Sequence, residues 1–200
     1  MDKRQLHHIW TRIRPVKVWY LLVAGGFFGL VAVVALRDNY VTMTQLRAHV
    51  YTADQNNGDV EGALQDLRAF VGMHMNTTLA STDGVYPPIQ LKYTYARLQA
   101  TEQKRVNDVN AAVYTDAQHY CEALYPKSFS GGPRVPCVEQ YVDSHRTSPV
   151  AIPEAMYKFD FVSPTWSPDV AGWSLVAAIV LAGLSILRFT VGYVLRRFIR

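Results

Sequence analysis

"VWYLLVAGGFFGLVAVVAL", Val18 to Leu36, is a run of 19 residues without a charge. As an α-helix rising about 1.5 Å per residue it would be about 28 Å long, close to the thickness of a bilayer's hydrocarbon core. A buried helix of a soluble protein is the alternative, but no polar face interrupts the run. A second stretch, "VAGWSLVAAIVLAGLSIL", covers the 18 residues from Val170 to Leu187, and apolar character resumes after Arg188 as "FTVGYVL". The sequence therefore predicts two transmembrane helices, 18–36 and 170–190. The first could also be read as a signal peptide with Val33 and Ala35 at its cleavage site. Its apolar run exceeds the core of about 7–15 residues found in signal sequences, so a retained anchor is expected.

The flanks orient both spans. Residues 1–17 carry five basic residues (Lys3, Arg4, Arg12, Arg14, Lys17) against one acid, Asp2, and residues 188–200 carry four arginines and no acid. Residues 37–169 hold 11 Lys/Arg against 15 Asp/Glu, a net charge of −4. By the positive-inside bias, residues 1–17 and 191–200 are cytoplasmic tails and 37–169 is an extracytoplasmic domain, all in the cell membrane. The pI near 9.1 thus reflects flanks that lie against anionic lipid head groups, and no nucleic-acid partner is expected. Trp10, Trp19 and Tyr20 on one side, and Trp166 and Trp173 on the other, fit interfacial aromatic belts, with Arg188 snorkelling to the cytoplasmic surface.

The expected fold is mainly α: two membrane helices flanking an antiparallel helical domain with an extended, aromatic and proline-rich strap. Beyond Leu36 the helical period persists through Tyr40, Met43, Leu46, Val50 and Ala53, which predicts one rod to about Gln55. A second amphipathic helix follows from Val60 to Met75. "NTTLASTDGVYPPI" reads as a loop, Pro88 as the first turn of a long helix ending at Leu124 with a break possible near Lys104, and "VEQYVDSHR" as a short helix. Residues 147–168 contain Pro149, Pro153, Pro164 and Pro168, and within them "YKFDF" alternates aromatic with charged, as an extended strap would. The expected core is Val50, Leu64, Leu67, Val71, Val109, Val113 and the aromatics of 157–161.

Two cysteines, Cys121 and Cys137, fall in the predicted external segment with 15 residues between them. An even count on the oxidising side predicts one disulfide, closing a Gly- and Pro-rich loop. Gly25 and Gly29 in the first span, and Gly172, Ala182 and Gly183 in the second, have the small-residue spacing that lets membrane helices approach closely.

"ADQNNGDVEGAL", residues 53–64, invites a calcium reading. Counting from Asp54, the glycine comes at position 5 instead of 6, and position 12 is Gln65 instead of glutamate. An EF-hand needs both, so a helix corner is expected, with Gly58 left-handed and Asp59 capping the next helix. "MHM", Met73 to Met75, puts neighbours about 100° apart on a helix, too far around to converge on one ion. Asn76-Thr77-Thr78 is a glycosylation acceptor sequence. No nucleophile-and-base set, HExxH, phosphate loop or CxxC occurs, so no enzyme activity, cofactor or metal is expected.

These features suggest a non-enzymatic two-span protein. Its external helical domain would bind a second copy, another membrane protein or an envelope component, besides the lipid bilayer. A small-ligand sensor signalling through a separate partner is the alternative; in layout only, the predicted domain resembles the external bundles of bacterial chemoreceptors. "SPTWSPD", residues 163–169, before a glycine-bearing second span resembles polysaccharide co-polymerases. That resemblance covers residues 163–184 and the topology, and implies regulation of surface-polymer length and a mixed α/β membrane-proximal domain, where residues 37–55 here read as helix.

Overall fold

The computed structural model describes residues 17–80, 86–126 and 132–199. These are mostly helical: α1 (Val18–Asn56), α2 (Val60–Met73), α3 (Lys92–Leu124), α4 (Arg134–His145) and α5 (Val170–Ile199). A 3₁₀ turn (Glu154–Met156) and two short strands, β1 (Ile89–Gln90) and β2 (Lys158–Phe159), complete the set. The strands pair antiparallel, with Ile89 opposite Phe159. α1 and α5 are both long and apolar enough to cross a membrane. The chain divides into two compact units: residues 17–52, 59–80 and 161–199 form one, and residues 53–58 and 86–160 the other.

In the first unit, a single inward stripe runs along α1. Ala32, Met43 and Val50 are buried on it, with Leu36, Asn39 and Leu46 half-buried between them. Alternating steps of three and four residues keep one face of a helix turned inward. The rod continues without interruption past Leu36, as its period implies. α2 starts where Asp59 caps it, its carboxylate accepting from the Gly62 N–H at 2.9 Å. Ala63, Leu64, Leu67 and Val71 are its buried face.

α2 stops at Met73, two residues before the expected Met75. The Thr77 hydroxyl donates to the His74 carbonyl at 2.6 Å, and Asn76 turns left-handed with φ 63°. Met75 is buried at this turn, and from Thr77 to Ala80 buried Thr77 and Leu79 alternate with exposed Thr78 and Ala80. Bonds from Asn76 to the Leu36 carbonyl, from Asn39 to the Met75 carbonyl and from Arg47 to the Ala80 carbonyl hold this return segment against α1. α2 therefore runs antiparallel to α1.

In the second unit, α1 ends with Asn57 in the left-handed region at φ 54°, while Gly58 is not there. The expectation for Gly58 is thus displaced by one residue. The Gly58 N–H bonds to the Ala53 carbonyl at 2.9 Å, the closing bond of a Schellman end. The residue before that donor must be left-handed, and asparagine tolerates this better than most residues.

Pro88 does not open α3. Ile89 and Gln90 are taken by β1, and the Leu91 N–H donates to the Tyr157 carbonyl at 2.8 Å, so the helix starts at Lys92. It then runs without a break near Lys104 to Leu124. α4 packs on α3, tied by the disulfide Cys121–Cys137 with Cα atoms 6.0 Å apart. The side of α3 that α4 covers is marked by Ala117 and Cys121, both fully buried. Val109 lies about a quarter-turn from that side at 100° per residue, and is 37% exposed. It is not core, and Val113 and Tyr157 are only half-buried. In the first unit, Phe161 is likewise half-buried.

Candidate functional site

Two features stand out, one in each unit. In the second unit it is the surface of α3. This helix is 33 residues long, yet only Val106, Ala117 and Cys121 are buried on it. Helical stability in proteins comes mostly from packing an apolar face, and α3 leaves much of its own unpacked. Tyr95, Val109, Tyr120 and Leu124 are exposed. At 100° per residue they fall within about 60° of one another around the helix, on an arc shared with buried Val106 and half-buried Glu102 and Val113, where Glu102 bonds to Val150. Tyr120 meets the ring of Tyr141 on α4 at 5.3 Å, and Tyr95 meets Tyr157 at 4.6 Å, so rings extend the stripe at both ends. Exposed tyrosine is the amphipathic side chain that protein interfaces favour.

The ends of this helix are fastened by polar groups. The first N–H groups of a helix have no partner inside it. For α3 they are satisfied by Asp54, whose carboxylate accepts from the Tyr93 N–H at 2.9 Å, the Thr94 N–H at 2.7 Å and the Thr94 hydroxyl at 2.6 Å. Arg97 adds an ion pair at 3.2 Å. Asp54 is 2% exposed: the residue at position 1 of the calcium reading instead caps a helix N-terminus. Further along, the Asn110 amide exchanges two bonds with the Thr147 backbone. Glu102 accepts from the Val150 N–H at 2.8 Å and pairs with Arg105. The hydrogen bond from Arg105, then that from Val150, hold the Glu102 carboxyl down at about 2 against the opposing effect of desolvation.

In the first unit the feature is a polar junction at the Asn39 end of the candidate spans. Asp169, immediately before α5, accepts from the Gly172 N–H at 2.8 Å and from Asn39 of α1 at 3.0 Å. The fully buried Ser167 accepts from the Met75 N–H at 3.1 Å. Burial pushes the Asp169 carboxyl upward. The bonds from Gly172, Asn39 and Ser167, with His74 nearby, outweigh it and hold the carboxyl below its ordinary value. Beside this junction, Phe28 and Val31 of α1 and Pro168, Asp169, Val170 and Trp173 line an open groove of about 510 Å³.

The small residues singled out in the sequence have different surroundings. Gly25 faces α5, where an added Cβ would stand 3.4 Å from that of Leu181 and 3.8 Å from the Ala182 nitrogen. Gly172 is buried, and an added Cβ would collide with the Ser167 carbonyl and the Trp166 indole. Gly29 and Gly183 have open space on their Cβ side. Trp166 and Trp173 meet edge to face at 5.6 Å beside Asp169. Trp19 and Tyr20 are exposed near the start of α1, and Arg188 lies toward the far end of α5. Trp10 lies outside the described residues.

Asp54, Asn39, Ser167 and Asp169 escaped the sequence reading as site residues. Asp169 had a usable signal, an aspartate directly before an apolar helix. Asn39 had a weaker one, a polar residue on the inner stripe between Leu36 and Met43. No family model, curated protein or solved structure matches the chain.

Proposed function

We propose that the protein is a non-enzymatic, two-span membrane subunit whose helical unit, residues 86–160 with the tip of α1, binds another protein or an envelope component. Both termini are assigned to the cytoplasm, on the distribution of Lys and Arg along the chain. The observation that carries this reading is α3, a 33-residue helix with three buried residues and an exposed stripe containing Tyr95, Val109, Tyr120 and Leu124. A partner laid along that stripe would remove it from water at about 25 cal/mol per Å² of apolar area. Its tyrosines would serve as rigid anchors with little entropy to lose. Fastening of the helix by Asp54 and Asn110 supports the same role, because a pre-ordered face binds with less ordering cost.

Cross-linking in native membranes followed by purification of the full chain tests the reading. A discrete adduct with a second copy or one other protein is the expected result; a chain that cross-links to nothing overturns it. The two alternatives separate in the same material. A ligand sensor would show a thermal shift with one small molecule, and a polymer-length regulator would change surface-polymer length on deletion. Residues 37–56 being helical gives the second alternative no mixed α/β membrane-proximal domain.

A further inference from the structure

The groove at the Asn39 end of the spans combines two kinds of wall. Phe28, Val31 and Val170 make an apolar floor, and Asp169 stands at the polar end, beside the exposed ring of Trp173. Phe28 and Val31 precede Asn39 by 11 and 8 residues on one helix, so they lie about 12–17 Å deeper along its axis at 1.5 Å per residue. With the spans in a bilayer, that extent runs from the interface into the acyl region of one leaflet. The groove is therefore open to lipid along its length.

Its polar end selects by charge. The Asp169 carboxylate accepts from the Gly172 N–H and the Asn39 amide, and Ser167 also bonds to it. A carboxylate offers about four acceptor positions, so room for a donor remains. The carboxyl is held in its charged form by these bonds. Trp173 is 61% exposed and sits edge to face against Trp166, presenting an aromatic surface that attracts a cation.

We infer that this groove binds a membrane lipid with an ammonium head group: the ammonium is held between the Asp169 carboxylate and the Trp173 ring, and one acyl chain lies along Phe28, Val31 and Val170. A lipid with an uncharged glycerol head group fills the same apolar floor but gains neither contact, and it brings a net negative charge up to a carboxylate. The inference rests on insertion of α1 and α5 into a bilayer, and is independent of what α3 binds.

The full chain, reconstituted in phosphatidylcholine-free vesicles, is tested with spin-labelled phosphatidylethanolamine against spin-labelled phosphatidylglycerol. The reading is the protein-immobilised fraction of each. Ethanolamine lipid should be preferred by about three- to tenfold, as cation–π and ionic contacts at a half-exposed site allow. Asp169→Asn keeps a good helix cap but removes the charge, and Trp173→Leu removes the ring from an exposed position; each should bring the preference close to unity. Flotation of both variants with the vesicles separates loss of head-group selection from loss of insertion. Equal retention of the two lipids by the unaltered chain overturns the inference. So does a Val31→Cys chain that forms a disulfide with a second copy, since a neighbouring helix would then occupy the groove.

Discussion

The carboxylate of Asp54 accepts both the backbone N–H of Thr94, at 2.7 Å, and its hydroxyl, at 2.6 Å, across 40 residues of sequence. α3 has no side-chain cap of its own, since Leu91 precedes it. Asp54→Ala should therefore cost about 2–3 kcal/mol, combining loss of a cap with stranding of buried donors. Asp54→Asn should cost about half of that, because one acceptor oxygen remains. Thermal unfolding of the full chain in detergent, followed by helical circular dichroism, checks the order Ala below Asn below the unaltered protein.

Linking Cys121 to Cys137 closes a loop with 15 residues between the cysteines, and α4 has no fully buried residue to hold it otherwise. The chain-entropy model assigns about 3 kcal/mol to such a link. Reduction, or a double substitution to serine, should loosen α4 from α3 while leaving α1 and α2 folded. Limited proteolysis should then cut between residues 122 and 136 far faster than in the oxidised chain, with no new cuts between 60 and 73.

Acid should act at Glu102 in a defined direction. Its carboxyl is lowered to about 2, first by the hydrogen bond from Arg105 and then by that from Val150. A carboxyl lowered in the folded state contributes stability above its unfolded value, and that contribution is lost as pH falls through the folded one. The tether of Val150 to α3 should thus persist through pH 4 and release only near pH 2. Val150 amide chemical shifts recorded against pH check this, and Glu102→Gln should abolish the transition.

Two glycines should answer differently to the same substitution. A methyl at Gly172 meets the Ser167 carbonyl and the Trp166 indole, so Gly172→Ala should cost about 1–3 kcal/mol by overpacking. At Gly25 the nearest atom to an added Cβ is that of Leu181 at 3.4 Å, an ordinary contact. Gly25→Ala should be neutral or gain up to about 1 kcal/mol from helix propensity. Thermal stability of the two variants in one detergent decides between them.

Much of this architecture was legible in the sequence, and the exceptions have a common cause. The long rod to Asn56, the Asp59 cap, the face of α2 and the Cys121–Cys137 link follow from period, cap chemistry and cysteine arithmetic, all of them local. What escaped depends on partners distant in sequence. Pro88 looks like a helix start, but Ile89 and Gln90 pair with β2, some 70 residues on. Val109 fits the helical period of α3, but only the placement of α4 decides which side is covered. Asp54 satisfied part of a calcium pattern, whereas its partners, Tyr93, Thr94 and Arg97, lie about 40 residues away.

Topology has a direct consequence for labelling. If both termini lie in the cytoplasm, as proposed from the Lys/Arg distribution, enzyme reporters fused to either one should be active there. A cysteine introduced at exposed Asn107 should react with an impermeant thiol reagent from outside. Opposite compartments for the two termini would mean that α1 or α5 does not span.

A partner is proposed to sit on the exposed positions of α3, Tyr95, Val109, Tyr120 and Leu124, on either side of buried Val106. A photo-cross-linking amino acid placed at Val109, on the stripe, is compared in native membranes with one at Lys104, about 140° around the helix. Position 109 should give a single discrete adduct, and position 104 little or none. No adduct from 109, or equal yield from both positions, would contradict it.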